Sequence, residues 1–130
     1  MSMITKAVVL EEPERLRLHD LELVEPQPED VIVDVEWSGI STGTERLLYT
    51  GRMPTFPGMG YPLVPGYESV GRVRSAGPES GHRVGERVFV PGARCFGAVR
   101  GLFGASASRL VVPGPRAVTI SESLGEEAVL

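Results

Sequence analysis

The amino-acid sequence predicts a mostly β domain that carries one short helix. Its 16 glycines and 11 prolines divide the 130 residues into short segments, and most segments alternate apolar and polar residues with a period of two. This period is typical of strands that bury one face, because successive side chains point to opposite sides of a sheet. With 42% hydrophobic residues, the chain has the size of one globular domain and no room for a second.

Six segments fit the strand pattern, at residues 6–10, 15–19, 31–37, 69–74, 86–90 and 109–112. In RLRLH at 15–19, the alternation places Leu16 and Leu18 on the buried face and leaves His19 with the arginines in solvent. In VIVDVEW at 31–37, it places the valines and Trp37 on one common face.

One helix is predicted at residues 44–49, with the sequence TERLLY. Thr42 and Glu45 have the spacing of a capping box, in which each side chain bonds a free backbone N–H of the first turn. Gly51 is placed to end the helix, since glycine adopts the left-handed conformation that helix ends favour. The predicted helix has about two turns.

Charge and composition argue against several classes of partner. With 13 basic and 17 acidic residues the net charge is -4, so the chain lacks the basic excess that binding to nucleic-acid phosphates requires. The N-terminal stretch MSMITKAVVL lacks the pattern of a signal peptide, which indicates a cytoplasmic protein. No apolar stretch approaches the ~20 residues of a membrane span, so we expect no transmembrane segment and at most a peripheral membrane contact.

Two common kinds of site are not expected. The sequence contains no GxxxxGK[ST] loop and no GxGxxG between a strand and a helix, the motifs that hold nucleotide phosphates. Zinc needs three or four Cys, His, Asp or Glu ligands, whereas His19, His82 and Cys95 lie far apart in the sequence. Arg94 favours a reactive thiol at the adjacent Cys95, but a buried cysteine more often acts as a small hydrophobic residue.

Four segments carry a resemblance to a known family, namely KAVVLEEPERLRLHD, EDVIVDVEWSGIS, PLVPGYESVGRV and HRVGERVFV. In this order they resemble the GroES-like catalytic domain of the medium-chain dehydrogenases and reductases, over nearly the whole chain. The resemblance implies a partly open β-barrel with a short helix over residues 1–120. It also implies that residues 121–130 begin the connection to a Rossmann domain that this chain does not contain.

The stretch SGISTGTERLLYTGRMPTFPGMGYPLVPGYE narrows the resemblance. It is similar to the branch of the superfamily that oxidises the hydroxyethyl group of a bacteriochlorophyllide to acetyl in bacteriochlorophyll synthesis. The resemblance implies a tetrapyrrole substrate and NAD as the hydride acceptor, bound mainly by the Rossmann domain with Ser41 and Thr42 beside it. The choice between NAD and NADP stays open, as does the formation of a homo-oligomer.

The same stretch implies a site without zinc. Zinc-dependent members carry a cysteine after the Gly-Ile pair and a histidine in a GHE motif, whereas Ser41 and Tyr67 stand at those places and Glu68 is retained. Without a metal, hydrogen-bond donors and a general base must act on the hydroxyl. Thr42 or Thr44 is expected to bind the hydroxyl, and Tyr67 or Glu68 to accept or orient its proton.

Each of these four residues also has a purely structural interpretation. The capping box alone explains Thr42, and Thr44 lies in the first helical turn. Tyr67 fits a core aromatic residue whose hydroxyl finds a backbone partner. Glu68 fits an acid that pairs with neighbouring backbone or with an arginine.

The predicted substrate site lies in two apolar loops. A flat apolar ring with a carboxylate requires an aromatic and aliphatic slot and a basic partner, and the loops FPGMGYPLVPG and CFGAVRGLFGAS supply two walls. The candidate substrate-binding residues are Phe56, Met59, Tyr61, Arg52, Arg94 and Arg100. The alternative is that the apolar residues only cover the end of the barrel and that the arginines are solvated.

Three functions therefore stay open at the level of sequence. The first is the catalytic domain of an NAD-dependent, zinc-free dehydrogenase acting on a bacteriochlorophyllide, inactive as an isolated fragment. The second is a medium-chain reductase acting on a quinone or an enoyl compound. The third is a non-catalytic GroES-like interaction module.

Overall fold

The structure, a computed structural model, describes residues 3–125. In this range the chain forms nine strands, one α-helix and a short 3₁₀-helix. The strands are β1 (Ile4–Glu12), β2 (Arg15–Glu22), β3 (Asp30–Ser38), β4 (Leu63–Val64), β5 (Ser69–Ala76), β6 (Arg87–Val90), β7 (Arg100–Gly101), β8 (Arg109–Pro113) and β9 (Val118–Thr119). The helix α1 spans Thr44–Thr50, and the 3₁₀-helix spans Gly114–Arg116. The predicted mostly β fold with one short helix is confirmed.

The strands form two sheets. The first has the order β2-β1-β4-β7 and the second the order β8-β3-β5-β6-β9. The segment before β8 joins them, because the Ser108 N–H donates to the carbonyl of Lys6 in β1 at 2.8 Å and the Val35 N–H in β3 donates to the carbonyl of Ser108 at 2.9 Å. Over the described residues the two sheets do not close into a barrel, in agreement with the partly open barrel that the resemblance implies.

The larger core consists of apolar residues from both sheets. Val33, Val73, Val88 and Leu110 are at most 1% exposed, and each such side chain stabilises the fold by about 1.5–3 kcal/mol relative to exposure. They lie in β3, β5, β6 and β8, the strands of the five-stranded sheet. The loops that follow or precede these strands therefore begin from fixed positions.

A smaller core fixes α1 to the first sheet. Leu48 of the helix packs with Leu10 of β1, Leu63 of β4 and Leu102, and all four are at most 9% exposed. Leu48 is the buried residue of α1. Because a seven-residue helix is marginal by itself, this cluster is what holds α1 in place beside the loop that precedes it.

The alternation in β2 predicted a buried face that the structure does not show, because no residue of this strand is buried. Leu16 is 52% exposed and Leu18 66% exposed, whereas the side chain of His19 is 39% exposed and bonds Glu11 Oε2 at 2.7 Å. The strand β2 lies at the edge of its sheet and pairs with β1. Alternation identifies two faces of a strand, but which face is covered depends on neighbours that are distant in sequence.

The alternation in β3 also fails at its end. Val31 and Val33 are fully buried, as predicted, but Trp37 is 50% exposed. The register of β3 with β5 shifts between Val35 and Trp37. A shift of this kind inserts an unpaired residue and changes the alternation of faces, so Trp37 does not follow the valines.

The end of α1 is as predicted, but its start is not. Gly51 is left-handed, with φ of 75°, and its N–H bonds the carbonyls of Leu47 and Leu48. At the start, Gly43 is the N-cap and already has helical φ and ψ, so Thr42 lies one residue too early to form the capping box. The Thr44 N–H instead donates to Ser41 Oγ at 3.3 Å.

The segment after β8 is tied to the second sheet. The Ile120 N–H donates to the Arg87 carbonyl at 2.9 Å, and the Arg87 guanidinium donates to the Ser121 carbonyl at 2.9 Å. The predicted connection at 121–130 lies partly outside the described residues and stays a prediction. Among residues 3–125, no helix is both long enough and apolar enough to cross a membrane.

Candidate active site

The two segments that carry the predicted catalytic residues meet at one end of the β3–β5 pair. Ser38, the last residue of β3, pairs with Ser69, the first of β5, and the Gly39 N–H donates to the Glu68 carbonyl at 2.8 Å. The loop at 39–43 therefore begins beside the segment at 65–68. The fold brings the region of Ser41 next to the region of Tyr67.

A tight glycine turn sets the direction of the second segment. Gly66 has φ of 101°, which favours glycine over any side chain. A Cβ at this position would lie 2.4 Å from Ser106 Oγ and 2.9 Å from the Ser106 backbone nitrogen. The segment before β5 can therefore pack directly against residues 105–106, and Tyr67 follows at once.

Tyr67 and Glu68 have different surroundings although they are neighbours. The Tyr67 ring contacts the Phe103 ring edge to face, with centroids 5.9 Å apart and planes at 66°. The Glu68 carboxylate packs against the loop at 39–43, since a Cβ at Gly39 would be 2.4 Å from Glu68 Oε2. The two candidate bases thus serve different sides of the site.

The hydroxyl residues of the first loop differ in their exposure. Thr42 is exposed, while Ser41 and Thr44 are half-buried. Ser41 Oγ accepts the Thr44 N–H and so also stabilises the start of α1. Among residues 3–125 the Thr42 hydroxyl has no hydrogen-bond partner, which leaves it available to a bound molecule.

Glu45 lies beside the candidate site, in a cavity lined also by Ser38 and Ile40. Its spacing from Thr42 predicted only a helix cap. Its Oε2 atom is buried and has no hydrogen-bond partner among the described residues. Burial raises the pKa of the Glu45 carboxyl, the charge of Glu68 adds to the rise, and the backbone N–H groups of Ser41, Glu45 and Gly66 oppose it. The carboxyl also lines a cavity of about 410 Å³ beside Ile40 and Tyr49. The only sequence signal for this arrangement was the spacing of four residues between Glu45 and Tyr49, which places both on one side of α1.

The two predicted substrate walls face each other across one groove. The groove has a volume of about 530 Å³ and is lined by Phe56, Arg94, Arg100, Leu102 and Phe103, among others. The Arg100 guanidinium packs against Gly60, where a Cβ would lie 3.0 Å from Cζ. Through the contact of Phe103 with Tyr67, this groove leads to a candidate catalytic residue.

Three of the predicted substrate residues lie outside the lining of this groove. Met59 and Tyr61 pack against the small core under α1, and Arg52 is exposed elsewhere. The Tyr61 hydroxyl donates to the Leu48 carbonyl at 2.5 Å, and burial raises its pKa. Met59 and Tyr61 therefore hold the loop that carries Phe56, which is the structural alternative considered for them.

The donor set at the site does not fit zinc. The positions of the zinc ligands in metal-dependent members carry the Ser41 hydroxyl and the Tyr67 phenol, which are not among the usual zinc ligands. Within residues 3–125, no group of three or more His, Cys, Asp and Glu side chains is placed to hold a metal. We therefore derive no step through zinc.

Cysteine and histidine have structural roles in the described part of the chain. Cys95 is 1% exposed, and burial raises the pKa of its thiol to about 11, so it is not a thiolate near neutral pH. His82 Nε2 lies 2.8 Å from the Gly114 carbonyl, and His19 bonds Glu11. These contacts explain all three residues without catalysis.

Comparison with known proteins identifies the family. Residues 27–122 match the family described as the alcohol dehydrogenase GroES-like domain. The chain belongs to this family. Over 98% of its length, this GroES-like domain is 56% identical to the 2-desacetyl-2-hydroxyethyl bacteriochlorophyllide A dehydrogenase of Cereibacter sphaeroides. It is 49% identical, again over 98%, to the protein of the same description from Rhodobacter capsulatus.

The GroES-like domain spans less than half the length of these relatives, 42% of the first and 41% of the second. Among solved structures, it resembles an alcohol dehydrogenase from E. coli CFT073 in complex with NADH, with 28% identity and a TM-score of 0.75. That match covers 97% of the domain and 41% of the E. coli chain. The similarity to dehydrogenases agrees with the resemblance drawn from the sequence segments.

Proposed function

We propose that this GroES-like domain is the catalytic domain of an NAD-dependent, zinc-free dehydrogenase that oxidises the hydroxyethyl group of a bacteriochlorophyllide to acetyl. Residues 1–120 form the domain in this proposal, and residues 121–130 begin the connection to a Rossmann domain. The descriptions of the relatives from Cereibacter sphaeroides and Rhodobacter capsulatus support this substrate. The observation that carries the proposal is the groove with Arg94 and Arg100 that leads through Phe103 to Tyr67.

The groove suits a large flat ligand with a carboxylate. Aromatic side chains stand on both walls, at Phe56 and Phe103, and two arginines stand at its side. Guanidinium groups bind carboxylates through paired hydrogen bonds, and apolar walls with a few polar groups are typical of sites for such molecules. A ligand bound in this way places its edge toward Tyr67.

The reaction transfers a hydride and a proton. The C–H bond of the secondary alcohol breaks with both electrons, the O–H bond releases its proton, and a C=O bond forms. When bound, the nicotinamide supplies the hydride acceptor. Ser41 and Thr42 would hold it at this site, because Thr42 is exposed and both lie in the loop whose Gly39 N–H bonds the Glu68 carbonyl, next to Tyr67.

The proton leaves through residues of this chain. The Tyr67 ring contacts Phe103, a residue that lines the groove, and this contact supports Tyr67 as the hydrogen-bond partner of the substrate hydroxyl. Glu68 Oε2 instead lies against Gly39. A phenol acts as a base near neutrality only beside a positive charge, which oxidised nicotinamide carries. We therefore assign Tyr67 the contact with the hydroxyl and the acceptance of its proton, with Glu68 as the alternative base and with Thr42 and Thr44 as further hydroxyl partners.

The test is the oxidation of the pigment by protein made from the complete reading frame. Protein treated with a metal chelator is mixed with hydroxyethyl bacteriochlorophyllide and NAD, and the absorption shift of the pigment is followed together with NADH formation. We expect turnover that the chelator does not reduce, and none from the 130-residue chain alone. Turnover of a quinone or an enoyl compound without pigment oxidation would overturn the proposed substrate, and loss of turnover with the chelator would overturn the zinc-free mechanism.

A further inference from the structure

We propose that Phe103 is a positioning residue that fixes the Tyr67 ring and offers its free face to a flat conjugated ring bound in the groove. The inference rests on the proposed function, since Tyr67 and the groove belong to that same site. It names a residue that links substrate binding to the placement of the hydroxyl partner, and it specifies a planar, conjugated anion as the ligand class of the groove.

The position of Phe103 is unusual for a phenylalanine. Its side chain is 40% exposed although it lines the groove and touches the Tyr67 ring. Phe96, in the same loop, is 3% exposed and belongs to the large core. Burial therefore accounts for Phe96 and leaves the exposed face of Phe103 without a partner of its own in the described part of the chain.

The backbone around Phe103 is held in place. The Leu102 and Gly104 N–H groups both donate to the Val64 carbonyl of β4, at 2.8 Å and 2.9 Å, and the Ala93 N–H donates to the Phe103 carbonyl at 2.8 Å. A Cβ at Gly92 would lie 2.7 Å from that carbonyl oxygen. The Phe103 ring thus starts from a fixed backbone, as a positioning residue requires.

The two contacts of Phe103 predict a specific ligand class. Its edge-to-face contact with Tyr67 restricts the tyrosine ring, and its exposed face favours an offset stack with a planar π system. Arg94 and Arg100 on the same groove add an attraction for an anionic substituent. A flat conjugated carboxylate satisfies all three groups, whereas an aliphatic alcohol engages none of them.

The first test is binding, which needs neither the cofactor nor turnover. A water-soluble chlorin carboxylate is titrated into the 130-residue chain and its absorption shift gives the dissociation constant. We expect Phe103→Leu to raise this constant about three- to tenfold, since an aromatic pair contributes roughly 0.5–1.5 kcal/mol, and Phe103→Tyr to leave it within about twofold of the parent. The matched control is Phe89→Leu, because Phe89 is a half-buried phenylalanine of β6 that does not line the groove.

The second test reports on Tyr67 directly. In NMR spectra, the ring protons of Tyr67 should carry a ring-current shift that Phe103→Leu removes and that Phe103→Tyr and Phe89→Leu keep. Equal affinity of the parent and Phe103→Leu, an unchanged Tyr67 shift, or no chlorin binding by the parent chain would each overturn the inference. Binding with the expected dependence on Phe103, combined with no pigment oxidation by the complete protein, would instead sink the proposed function and leave the inference intact.

Discussion

Tyr67 and Glu68 show how two neighbouring residues acquire different tasks. The Tyr67 ring contacts Phe103, which lines the groove. The Glu68 carboxylate packs against Gly39 on the loop before α1. In the sequence both are equal candidates for the base. Their different contacts are the basis for assigning the substrate hydroxyl to Tyr67 in the proposed mechanism.

The substitution Tyr67→Phe tests this assignment. It removes the hydroxyl and keeps the ring that contacts Phe103, so we expect kcat for pigment oxidation to fall by about 10²-fold or more, as for other groups that act on a transferred proton. Chlorin affinity should change by less than about twofold, because the ring that contacts Phe103 is retained. The control is Tyr49→Phe, since Tyr49 is 41% exposed on α1. An unchanged kcat in Tyr67→Phe would contradict the assignment.

The carboxyl of Glu45 makes a prediction about stability and pH. Its pKa is raised above the ordinary value of 4.5 by burial and by Glu68, so the folded state holds this proton more tightly than the unfolded state. The ionised group therefore reduces the free energy of unfolding as pH rises above 4.5 through the raised value, and the reduction is absent below 4.5. Glu45→Gln removes the charge and leaves the shape of the side chain.

We expect Glu45→Gln to raise the free energy of unfolding at pH 7 by on the order of 1 kcal/mol, the scale of an unsatisfied buried polar group. The gain should disappear below about pH 4, where the parent carboxyl is protonated as well. Thermal unfolding at several pH values measures both. Glu79→Gln is the matched control, because Glu79 is exposed. A lower free energy of unfolding for Glu45→Gln at pH 7 would contradict the prediction, because it would show that the ionised Glu45 carboxylate stabilises the fold.

At the scale of elements, the start of α1 depends on Ser41 and not on Thr42. The seven-residue helix has Gly43 at its N-cap without a side-chain bond, and the hydroxyl that reaches the first turn is that of Ser41. The helix is otherwise held by Leu48 in the small core. Phe56, from one wall of the groove, packs against this same core. The helix and that wall are therefore held by one cluster of side chains.

A pair of alanine substitutions tests the role of Ser41 at the helix start. Ser41→Ala should lower the free energy of unfolding by about 0.5–1 kcal/mol, the usual effect of removing a capping hydroxyl. Thr42→Ala, its matched control, should change stability by no more than about 0.3 kcal/mol, since an exposed residue without internal contacts contributes little. Urea unfolding measures both values. A larger loss of stability in Thr42→Ala than in Ser41→Ala would contradict this assignment and support the capping box of Thr42 and Glu45.

At the scale of the whole molecule, the groove depends on contacts between segments that are distant in sequence. The walls come from residues 56–58 and 94–103, and β4 pairs in parallel with β7 between them. This pairing places Arg100 on the groove, while Arg52, on the same loop as Phe56, lies away from it. Among the three candidate arginines, the fold therefore places Arg94 and Arg100 on the groove and Arg52 away from it.

We expect Arg100→Gln to weaken binding of a chlorin carboxylate about two- to fivefold, since an exposed ion pair contributes roughly 0.2–1 kcal/mol. Arg52→Gln should leave the affinity unchanged, because Arg52 does not line the groove. The methyl ester of the same chlorin should bind the parent and Arg100→Gln equally. Equal losses in Arg100→Gln and Arg52→Gln would place the carboxylate outside the groove.

Local sequence patterns predicted most of the strands and the end of the helix, and longer segments indicated the family. Period-two alternation and the positions of glycine and proline are local properties, so they located β1, β3, β5 and β8 and the end of α1 at Gly51. The segments with Ser41 and Tyr67 were instead found through the resemblance to the family. The strands and the end of α1 could be predicted because they depend on residues that are close together in the sequence.

Which faces are buried, and which candidate residues lie close together, follows from the tertiary fold and not from local patterns. Leu16 and Leu18 of β2 are exposed, and the pKa of Glu45 is raised mainly by its burial in the fold, with a smaller contribution from the charge of Glu68. Phe103 meets Tyr67 through the backbone bonds of its neighbours to β4. Burial, electrostatic coupling and ring contacts all depend on distances across the chain, and a local pattern of residues does not contain those distances.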